Sequence, residues 1–153
     1  MAAARQLTDA PTVTEALCLQ TTQAPAQGSG KGIGVLVINY NTARQTLRCL
    51  ESIQQSTVLP DWVLVLDNAS SADDFQRLLK GCQPPEGGTL QIYRSEKNLG
   101  FAQGSNVLID LLLQQPACQH IMLLNNDAVA QKDMLATLSA ALEAAGSGAG
   151  LAG

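Results

Sequence analysis

IGVLVINYNTARQTLRCLESIQQS, residues 33–56, changes period part-way along. Ile33 to Asn39 is an apolar run rich in β-branched residues, which predicts a strand buried on both faces. From Thr42 the spacing turns helical, with Leu47, Leu50 and Ile53 three residues apart. The same alternation then repeats. WVLVLD (62–67) is a second predicted strand. SADDFQRLLKG (71–81) is a helix with a serine cap, acidic residues in its first turn, apolar Phe75, Leu78 and Leu79, and a closing glycine. LQIYR (90–94) and HIMLLN (120–125) are further strands. FAQGSNVLIDLLLQQ (101–115) and QKDMLATLSAALEAAG (131–146) are further helices, the last with Met134, Leu135, Leu138 and Leu142 on one face. Apolar strands alternating with amphipathic helices imply right-handed βαβ crossovers. The fold class is therefore α/β: a three-layer, Rossmann-like, mostly parallel sheet with helices on both faces.

A chain of 153 residues, 46% hydrophobic and 14% charged, suits one domain with its own core. Its net charge is -4. No Lys/Arg cluster interleaved with aromatics marks a nucleic-acid surface, so no nucleic-acid partner is expected. Cys18, Cys49, Cys82 and Cys118 are widely spaced and form no C-x-x-C pair. That argues against zinc or a disulfide framework and for reduced thiols in a cytosolic setting. His120 has no second histidine with which to share a metal, so a structural or surface role is expected. No apolar run is long enough to span a bilayer, and the N-terminus lacks the apolar core of a signal peptide. Residues 1–31, rich in Ala, Thr, Gln, Pro and Gly, read as a flexible leader with one short helix around Val13 to Leu19. The domain is expected from 32 to 153. GSGKG (28–32) has the order of neither a Walker nor a dinucleotide loop, because a strand follows the lysine rather than a helix; it reads as a linker.

In open parallel sheets the ligand sits outside the carboxyl ends of the strands. Here each strand runs into polar residues: Asn39, Tyr40, Asn41 and Thr42; then Asp67, Asn68, Ala69 and Ser70; then RSEKNLGFAQGSN; then NNDA (125–128). Each stretch taken alone has a plainer explanation in turn and cap chemistry, with Ser70 or Ser71 capping the second helix. Turn chemistry does not require Asp67 at the last strand position, where a carboxylate can accept hydrogen bonds from a base or ribose. Gly100 and Gly104 each cost a helix about 1 kcal/mol, which points to a close backbone approach. Amides at a helix start also favour an anion such as a diphosphate. Asp127 is the acidic residue placed for a divalent cation. Mg²⁺ commonly takes one or two carboxylates and completes its shell with water and phosphate.

VLVINYNTARQTLRCLESI, VLDNASSAD, NLGFAQGSN and MLLNNDA, in this order and spacing, resemble the nucleotide-binding half of the family 2 glycosyltransferases. The rhamnosyltransferase-like group is nearest in flavour, and the resemblance spans about residues 33 to 153. It implies a GT-A fold and transfer of a sugar, with inversion, from a nucleotide-diphosphate donor (a dTDP- or UDP-sugar) to a glycan or lipid-linked acceptor. Asn39, Tyr40 and Asn41 would line the nucleoside pocket. Asp67 would contact the base, with Asn68 beside it. Asn98, Gly100 and Asn106 would shape the loop and helix start near the ribose and diphosphate. NND stands where the family carries its D-x-D-type motif, so Asn125 and Asn126 would lie beside the nucleotide sugar. Asp127 would ligate Mg²⁺ or Mn²⁺, the one charged ligand left by two amide replacements. Family members continue beyond this point, so the resemblance implies an N-terminal fragment or truncated gene product, cut after the fourth strand–helix unit, with the catalytic base in a later segment; no residue here is assigned that role. It also implies a cytoplasmic protein, associated peripherally with the inner face of the plasma membrane, in polysaccharide or cell-wall glycan synthesis. The competing reading is a truncated, non-catalytic nucleotide-binding or protein-interaction module. A nucleotidyltransferase is disfavoured, because NYNTARQ holds no glycine where that class needs a Gly-rich basic loop. Oligomeric state, sugar and acceptor stay open.

Overall fold

A computed structural model describes residues 13–20, 30–148 and 150–153. Its elements are β1 (Val13–Gln20), β2 (Ile33–Asn39), α1 (Ala43–Gln54), β3 (Trp62–Asp67), α2 (Ala72–Gly81), β4 (Thr89–Ser95), α3 (Gly100–Leu113), β5 (His120–Leu123) and α4 (Met134–Ala145), then a short 3₁₀ turn, Gly146–Gly148. The strands form one sheet in the order β1-β4-β3-β2-β5. β2 pairs in parallel with β3 and β5, and β3 in parallel with β4. The four strands and four helices expected from periodicity are all present, with ends shifted by up to three residues.

The helix expected around Val13 to Leu19 is instead β1. It pairs antiparallel with β4, from Val13 opposite Ser95 to Gln20 opposite Thr89, with a register shift between Glu15 and Leu17. The reason lies in the partner. Without β1, β4 would present a row of unpaired backbone groups along that edge of the sheet, and a strand satisfies them where a helix cannot. The rest of the leader lies outside the described residues.

The chain steps from β2 to β3 to β4 in one direction, then returns to place β5 on the far side of β2. Right-handed crossovers put helices on opposite faces when the direction reverses. The two core layers follow that rule. Val35, Val37, Val63, Val65 and Ile92 pack against Leu50 and Ile53 of α1, Phe75 and Leu78 of α2, and Leu135 of α4. Leu36, Leu64, Leu66 and Tyr93 pack against Leu108 and Leu112 of α3. Alternate residues along each strand thus serve opposite layers, which is why the strands read as unbroken apolar runs. The reversal falls between β2 and β5, so NYNT and NND flank the crevice that such a switch creates. Gly104 fits the expectation of a close approach, but the neighbour is the sheet. A Cβ there would lie 3.0 Å from Leu66 Cδ2 and 3.1 Å from Ile38 Cδ1. The first turns of α3 therefore rest directly on the carboxyl ends of β2 and β3.

The last residues of GSGKG form a fastened turn. The Asp61 carboxylate accepts from the amides of Gly30 (3.2 Å) and Ile33 (3.0 Å). The Gly32 carbonyl accepts from the amides of Gln119 (2.8 Å) and His120 (3.0 Å), joining the starts of β2 and β5. Gly32 has φ +67, and the backbone of Ala117 and Gln119 fills the space a Cβ would take. His120 is half-buried at the start of β5, a structural position. Cys49 and Cys82 are buried free thiols.

Two outcomes follow from this packing. Gly32→Ala meets backbone and a left-handed conformation together and is expected to lower stability by about 2–4 kcal/mol in urea denaturation. Gly30→Ala, with φ +64 and open space around its Cβ, is expected to cost about 1 kcal/mol. Equal losses would contradict the packing at Gly32. The second concerns pH. Burial pushes the Cys82 thiol from near 9 up to about 12. The folded state therefore keeps a proton that the unfolded chain loses, so this contribution to stability is complete below pH 9 and lost as pH rises towards 12. The stability gap between wild type and Cys82→Ala is expected to narrow by about 1–2 kcal/mol between about pH 8 and about pH 10.5. Parallel pH profiles would contradict it.

Candidate functional site

Asn39 ends β2 with no exposed surface, and its side chain is held from every side. Its amide nitrogen lies 3.0 Å from Asp67 Oδ1, 3.0 Å from Asp74 Oδ2 and 3.1 Å from Ser70 Oγ. Its amide oxygen accepts from the Thr46 hydroxyl at 2.8 Å. Facing two carboxylates, that end of the amide has to be the nitrogen. Asp67, at 0% exposure, accepts from Asn39 through one oxygen. Through the other it accepts from the Ser70 amide at 3.3 Å and faces Arg94 Nε at 3.6 Å. Arg94 also donates to the Ser70 carbonyl at 3.1 Å and lies over the Phe75 ring, 4.1 Å from its centroid.

Asp74 illustrates how local sequence can mislead. An acid in the first turn of α2 reads as support for its own helix. Ser71 does that capping, accepting from the Asp74 amide at 3.4 Å. The Asp74 carboxylate instead reaches the start of α1, accepting from the Ala43 amide at 3.0 and 3.2 Å. A buried charge gains there from the positive end of the helix. Asp74, Arg94, Thr42 and Thr46 all belong to the site's framework. Thr42 and Arg94 fall in the polar strand ends, but no sequence signal singles out Asp74 or Thr46, because acids and threonines in the first turn of a helix are ordinary surface residues.

The remaining strand ends are tied to this set. Asn41 adopts φ +54; its amide donates to Ser70 Oγ (2.9 Å) and its side-chain oxygen accepts from the Ser71 amide (2.8 Å). Ala69, in the facing loop, adopts φ +65. Buried Asn68 donates to Asn98 Oδ1 (3.0 Å) and accepts from the Leu99 amide (2.8 Å). Asn98 Oδ1 also accepts from the Gly100 amide at 2.8 Å, so the entry to α3 is braced by side chains of the protein itself. After β5, Asn126 donates to the hydroxyls of Thr42 (2.6 Å) and Thr46 (3.0 Å). The Asn125 carbonyl accepts from the Cys49 thiol at 3.5 Å. Burial first, and then the nearby Asp127 charge, push that thiol up to about 11.

The four strand ends thus join into one bonded edge. Asn39, Asp67 and Asn68 are buried in it and Asn126 is half-buried, while Tyr40, Asn41, Asn98, Gly100, Asn125 and Asp127 are exposed. Among the described residues, the exposed side chains of Tyr40 and Asp127 project from this edge without joining its hydrogen bonds, as does Asn106, exposed on the second turn of α3. No group of three or more His, Cys, Asp or Glu side chains converges among the described residues. One exposed carboxylate beside amides suits an oxygen-preferring cation that draws its other ligands from water and a diphosphate. It does not suit a nitrogen- or sulfur-ligated metal. A separate cavity of about 250 Å³ between β5, α4 and Leu151 is lined mostly by apolar side chains and touches none of the polar carboxyl-end residues.

Residues 34–150 match the sequence model of glycosyl transferase family 2. No curated protein matches the chain. Among solved structures, S. aureus TarS 1–349 is similar at 22% identity and a TM-score of 0.57 over 73% of this chain and 32% of that one. The mannosyltransferase PcManGT from Pyrobaculum calidifontis, in complex with GDP-Man and Mn²⁺, is similar at 20% identity and a TM-score of 0.56, over 69% of this chain and 30% of that one. At such identities the likeness speaks to fold, and the shared fold is the GT-A arrangement. The chain spans about a third of the length of these two structures. With its sheet order, its two helical layers and the match across residues 34–150, the chain belongs to glycosyl transferase family 2.

Proposed function

We propose that this chain is the donor-binding part of a glycosyltransferase. It takes a dTDP- or UDP-linked sugar and a divalent cation, Mg²⁺ or Mn²⁺, and presents the sugar for inverting transfer to a glycan or lipid-linked acceptor. The observation that carries the reading is the single bonded edge made by four polar strand ends at the sheet's switch point, with Asp127 exposed on it.

The roles follow from exposure. Tyr40, 48% exposed just past β2, offers a ring for stacking on a base. Asn41 offers polar atoms beside it. Asp67 is enclosed and meets a base only when the half-exposed Arg94 side chain moves off its carboxylate. Asn39 works from beneath, holding Asp67 in orientation. Asn98, Gly100 and Asn106 border the ribose and diphosphate, and Asn125 and Asn126 the sugar end. A cation on Asp127 would neutralise charge building on the departing diphosphate. None of these residues is assigned as the base that activates the acceptor. We place the protein in the cytoplasm, peripheral to the inner face of the plasma membrane. No helix among the described residues is long and apolar enough to cross a membrane.

Calorimetry with UDP- and dTDP-sugars tests the site. Mn²⁺ is expected to tighten nucleotide binding, and Asp127→Ala to remove at least tenfold of that gain, equivalent to about 1.4 kcal/mol. Binding indifferent to both Mn²⁺ and Asp127→Ala would sink the proposal. Stability and binding are also expected to separate along the division between buried and exposed residues. Asn39→Ala takes one donor from each of two buried carboxylates and is expected to cost about 2–4 kcal/mol in urea denaturation. Tyr40→Ala is expected to change stability by no more than about 0.5 kcal/mol while weakening nucleotide binding. A stability loss at Tyr40 matching that at Asn39 would contradict the assignment.

A further inference from the structure

Thr46 lies in the first turns of α1 with no exposed surface, and its hydroxyl sits between two asparagine side chains from different strand ends. A hydroxyl has one proton to give and can also accept. Thr46 gives its proton to Asn39 Oδ1 at 2.8 Å, with the Thr42 carbonyl a longer alternative at 3.3 Å. It accepts from Asn126 Nδ2 at 3.0 Å. Asn39 in turn donates to Asp67 Oδ1 at 3.0 Å. A directed line of hydrogen bonds therefore runs from the turn carrying Asp127, through one buried hydroxyl, to the carboxylate at the end of β3.

We propose that Thr46 is a positioning residue that couples cation binding at the NND turn to nucleotide binding at the β2 and β3 ends; this rests on the donor-binding reading above. The coupling arises because the proton of Thr46 serves one acceptor at a time. With the Asn126 nitrogen towards Thr46, that proton goes to Asn39, whose amide is then held at its oxygen as well as at the nitrogen that faces Asp67 and Asp74. If Asn126 rotates to present its oxygen, Thr46 must donate to Asn126 instead, and Asn39 loses the bond to its amide oxygen and is held through its nitrogen alone. A ligand that fixes the turn bearing Asn126 and Asp127 thereby favours one orientation of Asn39 and Asp67. Such coupling is reciprocal: a nucleotide that fixes Asp67 favours the cation equally. Thr42 also accepts from Asn126 but makes no bond to Asn39, so it anchors the turn without passing on its state.

The test is the nucleotide affinity of the full chain with and without Mn²⁺, measured for UDP and dTDP by calorimetry. Thr46→Val keeps the shape and removes the hydroxyl. It is expected to reduce the Mn²⁺-dependent gain in affinity about fivefold, and Thr46→Ser is expected to restore the gain. In the double variant Thr46→Val with Asn126→Ala, the losses are expected not to add, since both act through one bond. A full Mn²⁺ gain in folded Thr46→Val, or additive losses, overturns the coupling while leaving the donor site standing. A wild-type protein with no Mn²⁺ gain overturns both. Should Thr46→Val fail to fold, the side-chain amide signal of Asn39 in wild-type protein decides by NMR: movement on adding Mg²⁺ supports the coupling, and a signal unmoved at saturating Mg²⁺ overturns it.

Discussion

A neutral amide held between two buried carboxylates is the constraint on which this edge of the molecule depends. Asp67 ends one strand and Asp74 begins the next helix, and Asn39 reaches both from a third element. Neither acid tolerates burial without donors, since an uncompensated buried charge costs several kcal/mol. The donors come from four places: the Asn39 amide, the Ala43 backbone at the head of α1, the Ser70 backbone and Arg94. Satisfying the two acids therefore fixes β2, β3, α1 and α2 relative to one another at the end of the sheet where loops would otherwise be free. Apolar packing locates the layers, and this polar cluster sets their register at the site.

The same cluster explains what the two helix starts are for. The head of α1 is spent on Asp74, and the entry to α3 on the side chains of Asn68 and Asn98. Both favourable anion positions are thus used in building the loops. On the exposed side the half-buried Arg94 guanidinium and the exposed Lys97 side chain carry the positive charge of the β4 end.

The elements from Ile33 onward were legible because each obeys a single period, and a strand buried on both faces announces itself as an unbroken apolar run. Val13–Gln20 was not, because its conformation is decided by a distant partner, the open edge of β4, rather than by its own spacing. The site divided in the same way. Polar residues after every strand marked a candidate edge, and the structure joins those ends by hydrogen bonds. Exposure was not legible: Asn39 and Asn41 are two residues apart and chemically identical, yet one is sealed and the other open. Nor was the reach of Asp74 and Thr46, whose partners lie on other elements. The glycine at 104 showed that something approaches the helix closely, but not that the approaching group is the sheet.

The loops carrying Asn41 and Ala69 deserve to be considered as a pair. Each holds one non-glycine residue in the left-handed region, and each fastens the other: the Asn41 amide to Ser70, the Ser71 amide to Asn41. Surface loops commonly open independently and exchange their amide hydrogens quickly. Here neither can lift away without releasing its neighbour, so the two form one cooperative unit. A ligand that settles on Asn41 therefore also restrains the loop that positions Asp67, and slow exchange at the Asn41 and Ser71 amides would be the mark of that shared opening.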